Sequence, residues 1–164
     1  MKKLGISPES IKEIFISHFH HDHTGGLPAF LNINPDVKIY IPSSLCEMKG
    51  NEVEIIKGPT KIHENIFSTG ELEEIEQSLG VITSQGVVLI VGCSHPDMAN
   101  ILKTAEKFGK IYAIIGGMHG FSQFDLFKNL KLICPTHCTQ HKQELKNLYP
   151  GKYIEGGVGR VIKI

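Results

Sequence analysis

The sequence predicts an α/β fold, on three observations. Apolar, β-branched stretches punctuated by Gly, Pro and Asn crowd the first half, at 13–16, 37–41, 53–56, 79–83 and 87–91. In the second half, strand-like runs alternate with helical patterns, as in a layered α/β domain. Four times, a histidine follows an apolar run within a few residues. In such folds the ligand crevice lies outside the carboxyl ends of the strands.

Taken in order, Ile14-Phe15-Ile16 reads as a strand that delivers SHFHHDHTGG, Ser17–Gly26. His18 and His20 sit at i and i+2, which on extended backbone places both on one face. Asp22 and His23 follow at a turn signalled by Thr24-Gly25-Gly26, and the alternation points His21 away. Strands at 37–41, 53–56 and 79–83 come next. The run VVLIV (87–91) leads to Gly92-Cys93-Ser94-His95 and a helix over 96–108, with Ser94 and Asp97 spaced as a capping box. IYAII (111–115) leads to Gly116-Gly117-Met118-His119 and a helical stretch over 122–130. LIC (132–134) leads to Pro135-Thr136-His137 and a helix over 139–148. VIKI (161–164) reads as a closing strand.

A chain of 164 residues is expected to form one domain, 1–164, able to bury its own core. Lys+Arg and Asp+Glu both number 17, so charge gives no warrant for a nucleic-acid or membrane-surface partner. No apolar run is long enough to span a membrane and no signal-peptide core is visible, so a cytoplasmic protein is expected. Cys46, Cys93, Cys134 and Cys138 are then thiols rather than a disulfide framework. Cys134 and Cys138 flank His137 in CPTHC, where a structural zinc competes with the preferred reading of two buried thiols.

Four histidines and an aspartate within six positions are a poor fit to an apolar core. Neutral imidazole and ionised carboxylate are what zinc, iron or manganese require. The spacing suits two adjacent ions, His18 and His20 for one, Asp22 and His23 for the other.

HxHxDH followed by a Gly pair, carried by His18, His20, Asp22 and His23, resembles the signature of the metallo-β-lactamase superfamily. GCSH (92–95), GGMH (116–119) and PTHC (135–138) are similar to its branch of dihydropterin–ribofuranosylaminobenzene-phosphate synthases. The resemblance covers essentially the whole chain. It implies an αββα sandwich with one or two divalent metals at one edge, zinc first, with manganese, iron or magnesium as alternatives. It also implies a small-molecule substrate, phosphorylated in some members, and either hydrolysis of an ester or phosphoester-type bond or a pterin transfer with loss of diphosphate. His137 matches the superfamily's last histidine, on the second metal. Cys93 stands where many members have a bridging Asp, and could ligate as thiolate or be a plain buried Cys. STGELEE (68–74) stands where many have a His, for which His95 is the preferred replacement and His119 the next.

In the active reading, metal lowers the pKa of water from 15.7 to about 7. Asp22 orients the attacking water and His95 completes the catalytic set. Ser94, Asp97 and the N–H groups opening helix 96–108 are expected to offer an anion site. Only about 17 residues precede HxHxDH, which against the resemblance predicts that N-terminal strands are reduced or missing. The open sheet edge then calls for a homo-oligomer or a completing partner. A non-catalytic metal-binding or assembly subunit is the competing class, and a zinc-stabilised structural domain using Cys134 and Cys138 is a third. His63 and His141 are expected on the surface, and Gly156–Arg160 as a turn before the last strand.

Overall fold

The computed structural model describes residues 1–45 and 52–164; Cys46 lies outside the described residues. Two β-sheets carry the fold. The smaller is parallel, in the order β1-β2-β3, from β1 (Glu13–Phe15), β2 (Lys38–Pro42) and β3 (Val53–Ile56). The larger has six strands in chain order: β4 (Thr60–His63), β5 (Ile66–Ser68), β6 (Leu79–Thr83), β7 (Gly86–Val91), β8 (Ile111–Gly117) and β9 (Leu132–Thr136). Strands β4 to β7 are antiparallel neighbours, while β7, β8 and β9 run parallel.

Parallel neighbours need long crossovers, and the chain places its helices there. Short helices α1 (His21–Thr24) and α2 (Leu27–Leu31) lie between β1 and β2, α3 (Met98–Ala105) lies between β7 and β8, and α4 (Lys142–Leu148) follows β9. Leu27, Phe30 and Leu31 of α2 pack on Ile16, Val37, Ile39 and Ile41. On the larger sheet, strand alternation sends Val87, Leu89 and Val91 to the face covered by Met98, Ile101, Leu102 and Ala105 of α3. Val88 points the other way, with Ala113, Leu132 and Cys134. Tyr40, opposite α2, donates to Glu13 Oε1 at 3.0 Å, and Glu13 Oε2 lies 2.6 Å from His63 Nε2 on β4. Helices therefore flank two sheets that meet between them, an αββα arrangement.

A buried polar segment ties the sheets together. Gln77 N–H donates to the Ser17 carbonyl and its side-chain amide to the Ile16 carbonyl, both at 2.9 Å. Ser68 Oγ donates to Gln77 Oε1 at 2.7 Å, and Ser78 N–H to Thr69 Oγ1 at 2.9 Å. All of these side chains are fully or almost fully buried, and none is left without a partner, as burial demands.

The structure corrects the sequence reading in three places. Residues 122–130 hold only a 3-10 turn, Phe124–Phe127. Phe121, Phe124 and Phe127 recur every third residue, the eclipsed spacing of a 3-10 helix, and all three pack into the main core. Residues 161–164 form no strand. The free edge of β9 is taken upstream, where Ile133 N–H donates to the Lys152 carbonyl and Ile154 N–H to the Ile133 carbonyl, both at 2.9 Å. The hairpin β4–β5 is the third difference, since TKIHENIFS offers no run of apolar residues long enough to read as two strands.

Gly116, at the end of β8, has φ +136°, and a Cβ there would lie 2.0 Å from the Val91 carbonyl oxygen. Gly116→Ala is expected to cost at least about 2 kcal/mol, from strain and a backbone clash together. Urea unfolding measures it, and a loss below about 0.5 kcal/mol would contradict the close approach of β7 and β8.

Candidate metal centre

The loops that follow β1, β7, β8 and β9 converge at one end of the two sheets. They bring together His18, His20, Asp22 and His23 from the first, Cys93 and His95 from the second, His119 from the third, and His137 and Cys138 from the fourth. The donor atoms of His18, His20 and His95 lie within 4.8 Å of one another, as do those of Asp22, His23 and His137. Cys93 falls between these two sets and shares further groupings with His18 and His23, with His95 and His119, and with His137 and Cys138.

Contacts within the cluster are close. His95 Nε2 is 3.1 Å from His20 Nδ1, His137 Nε2 is 3.0 Å from Asp22 Oδ2, and His23 Nε2 is 3.1 Å from Cys93 Sγ. The His18 ring centroid is 4.7, 4.2 and 4.8 Å from those of His20, His23 and His95. His21 stands apart on the exposed side of α1, with its ring folded beside Gly25. The two expected pairs are thus joined by His95 and His137, while His119 reaches His95 at a ring distance of 4.6 Å.

The backbone is shaped for this purpose. Ser94, His119 and His137 all have positive φ, at 58°, 38° and 47°. Such conformations cost of order 1–3 kcal/mol each in non-glycine residues and gather at functional sites. At Gly92 a Cβ would meet Ser17 Oγ at 2.4 Å, so only glycine lets the loop after β7 pass the HxHxDH loop this closely.

Glu76, which the sequence reading passed over, organises the centre from beneath. Its buried carboxylate accepts the N–H groups of Gly92, Cys93 and Ser94 on Oε1, at 2.9, 3.0 and 3.2 Å, and that of His95 on Oε2 at 3.1 Å. Oε2 also lies 3.7 Å from His18 Nδ1, which is 3.0 Å from Ser17 Oγ. One carboxylate therefore fixes a loop holding two candidate donors and adjoins a third.

The protonation states of the histidines and of Asp22 suit metal ligation. Burial, reinforced by His23, His95 and His20 against the pull of Glu76, pushes the His18 imidazole down to about 4. Burial likewise lowers His23 and His95. Against an upward push from desolvation, its own backbone N–H and the neighbouring His23 and His137 hold Asp22 below the ordinary carboxylate range. Burial and then the Cys138 contact push the Cys93 thiol up. His18 Nε2 and His119 Nε2 are buried and have no hydrogen-bond partner. An orphaned imidazole nitrogen is costly unless something binds it. With Nδ1 oriented by Ser17 and Glu76, His18 has the arrangement in which metal-binding histidines present their other nitrogen. The donor set fits a divalent ion.

The expected anion site does not form, since the chain's own side chains take its donors. Asp97, not Ser94, caps α3, accepting from Ala99 N–H at 2.8 Å and Asn100 N–H at 3.3 Å. Glu73 accepts the Asp97 N–H at 3.2 Å, and Ser94 Oγ donates to the Gly117 carbonyl at 2.8 Å. Asp97→Ala is expected to cost about 1 kcal/mol, the usual value of such a cap, read from thermal unfolding. Cys134 also departs from the CPTHC zinc reading: it is buried with Val88, Ala113 and Leu132, whereas Cys138 lies with Cys93 and His137. His63 and His141 bond to surface carboxylates, Glu13 at 2.6 Å and Glu144 at 3.1 Å. Among the described residues, no helix is long and apolar enough to cross a membrane.

Comparison with known proteins gives a consistent picture. The model of the metallo-beta-lactamase superfamily matches residues 1–102. A 7,8-dihydropterin-6-methyl-4-(beta-D-ribofuranosyl)-aminobenzene-5'-phosphate synthase of Methanocaldococcus jannaschii is 26% identical over 231 positions, covering 94% of this chain and 79% of the relative. A ribonuclease Z of Pediococcus pentosaceus is 33% identical over 90 positions, covering 52% of this chain and 26% of that enzyme. The crystal structure of a metal-dependent hydrolase of the beta-lactamase superfamily superposes with a TM-score of 0.79 at 25% identity, covering 99% of this chain and 82% of that one.

Proposed function

The chain belongs to the metallo-beta-lactamase superfamily, and from that premise we propose that it is a metal-dependent enzyme whose centre hydrolyses an ester or phosphoester-type bond in a small molecule. His18, His20 and His95 would hold one divalent ion and Asp22, His23 and His137 a second. Imidazole with one carboxylate suits zinc first, and also manganese or iron. The observation that carries the reading is His18 Nε2, buried and unpartnered on a ring packed against those of His20, His23 and His95. When bound, the metal supplies Lewis acidity, polarising a carbonyl or phosphoryl oxygen and making water nucleophilic at neutral pH.

The chain's own groups supply the rest. Asp22, 57% exposed at the mouth and steered by His137 Nε2, orients the attacking water and takes up its proton at the carboxylate. Ser17 and Glu76 hold His18 in register from the buried side. A second reading, transfer to a phosphate-bearing pterin-type acceptor with loss of diphosphate, is favoured by the synthase relative, whose match spans nearly the whole chain.

The test is elemental analysis of the purified protein, followed by assay on phosphodiester, lactone and thioester substrates. Turnover abolished by chelation and by His20→Ala is expected. A fully metal-loaded protein that turns over none of these would overturn hydrolysis, and turnover only of a dihydropterin diphosphate with an aryl amine would select transfer.

A further inference from the structure

We propose that Cys93 and Cys138 are a redox pair, which a small-molecule disulfide joins to each other and so loosens metal from the half-site of Asp22, His23 and His137. The effect on metal rests on the metal-centre reading above; the link itself does not.

The two sulfurs already lie close. Strands β7 and β9 flank β8, and the loops that follow them carry Cys93 and Cys138. The two Sγ atoms and a ring nitrogen of His137 are within 4.8 Å of one another. The chain turns at His137, φ 47°, and Cys138 Sγ comes to 3.9 Å from the Cys93 carbonyl oxygen. A disulfide needs the sulfurs at about 2.05 Å, an approach that side-chain rotation can supply from this start.

The space between them is open. At Gly117, the last residue of β8, a Cβ would lie 2.7 Å from Cys138 Sγ and 3.2 Å from the Cys93 Cα. Any other residue there would crowd the path from one sulfur to the other.

Exposure sets the order of events. Cys138 is half-buried beside the mouth, where the His137 and Asp22 side chains are 42% and 57% exposed, whereas Cys93 is 2% exposed. An oxidant from solution therefore meets Cys138 first. Cys134 is buried with Val88, Ala113 and Leu132 and takes no part. The Cys138 thiolate attacks the small disulfide, forms a mixed disulfide and expels one thiol. Cys93 then attacks Cys138 Sγ, the mixed bond breaks, the second small thiol leaves and the protein disulfide is made. Two electrons and two protons pass from the protein to the small disulfide. The link takes Cys93 Sγ from its place 3.1 Å from His23 Nε2 and pulls on the turn that holds His137. Groups that support metal ligands are worth about 10–100-fold in affinity.

The full chain, freed of metal by chelation, is treated with oxidised glutathione and followed by thiol titration, peptide mass mapping and zinc titration. A cross-linked Cys93–Cys138 peptide is expected, with two thiols lost, Cys134 unmodified and both changes reversed by dithiothreitol. The linked chain should hold its second zinc at least about tenfold more weakly and recover on reduction. Cys138→Ser should form no link and keep its zinc affinity in oxidant, and in Cys93→Ser one glutathione should stay on Cys138. Absence of the Cys93–Cys138 peptide, or a link to another cysteine in its place, overturns the proposal. So does a linked chain that holds zinc as tightly as the reduced one. A reduced chain that binds no zinc removes the metal-centre reading and the loosening with it, while the cross-linked peptide still decides the pair.

Discussion

Glu76→Ala is expected to destabilise the protein by about 4 kcal/mol and to disorder the loop that carries Cys93 and His95. The carboxylate is buried and accepts four successive backbone N–H groups. Each buried donor left without an acceptor costs about 1–3 kcal/mol. Water entering the space offsets part of that cost, so the sum falls near the 3–5 kcal/mol seen when one partner of a buried charged contact is removed. Against a total stability of about 5–15 kcal/mol, the loss is large. For a chain of this size it lowers Tm by about 10–15 °C. Glu76→Gln separates shape from charge. The amide keeps one oxygen for the N–H groups of residues 92–94 but turns an NH₂ towards the His95 N–H. It should therefore cost about half as much and weaken metal binding more than it weakens folding. Urea unfolding with and without zinc reads both effects. A Glu76→Ala protein within 1 kcal/mol of wild type would show that the carboxylate does not support this loop.

Glu76 belongs to the part of the site that is not legible in the sequence. The HxHxDH run announces itself because imidazoles and a carboxylate at that density have no competing use. His95, His119 and His137 were visible because each follows an apolar run, and the parallel strands β7, β8 and β9 carry those run ends to one edge. Glu76 lies instead in GELEEIEQS, which by composition is a solvated loop. Only the tertiary fold shows Glu76, Gln77 and Ser78 buried between two loops separated by some seventy residues. No local period or spacing encodes such a contact.

The fold divides in the same way. Strands with β-branched alternation, such as β6 and β7, were readable to within a residue. The hairpin β4–β5 was not, since its strands are short, polar on one side and stabilised by neighbours rather than by propensity. The Phe121–Phe127 segment shows tertiary packing overriding a helical pattern: Phe127 is fully buried and its ring lies 4.7 Å from that of Phe121. VIKI failed as a strand because Lys152–Ile154 had already taken the edge of β9.

His18→Ala is expected to lower the catalytic efficiency of the metal-loaded protein by about 10³-fold, and His21→Ala to leave it unchanged. The two residues are three apart and chemically identical, so the comparison isolates position. His18 is 1% exposed, oriented on one side by Ser17 and Glu76, has an unpartnered Nε2, and packs its ring against those of His20, His23 and His95. His21 is exposed on α1 and takes no part in the groupings around the centre. Metal assistance contributes several kcal/mol to the transition state, and each 1.4 kcal/mol is a factor of ten, which sets the size of the loss. The apo protein should respond weakly. An imidazole held neutral in a buried site, with one nitrogen unsatisfied, destabilises the metal-free fold, so His18→Ala should give up less apo stability than its buried volume suggests. Zinc should then raise Tm in the wild-type and His21→Ala chains, and much less in His18→Ala. Equal zinc stabilisation of His18→Ala and wild type would remove His18 from the centre, and a comparable loss in His21→Ala would undo the division of labour within the HxHxDH loop.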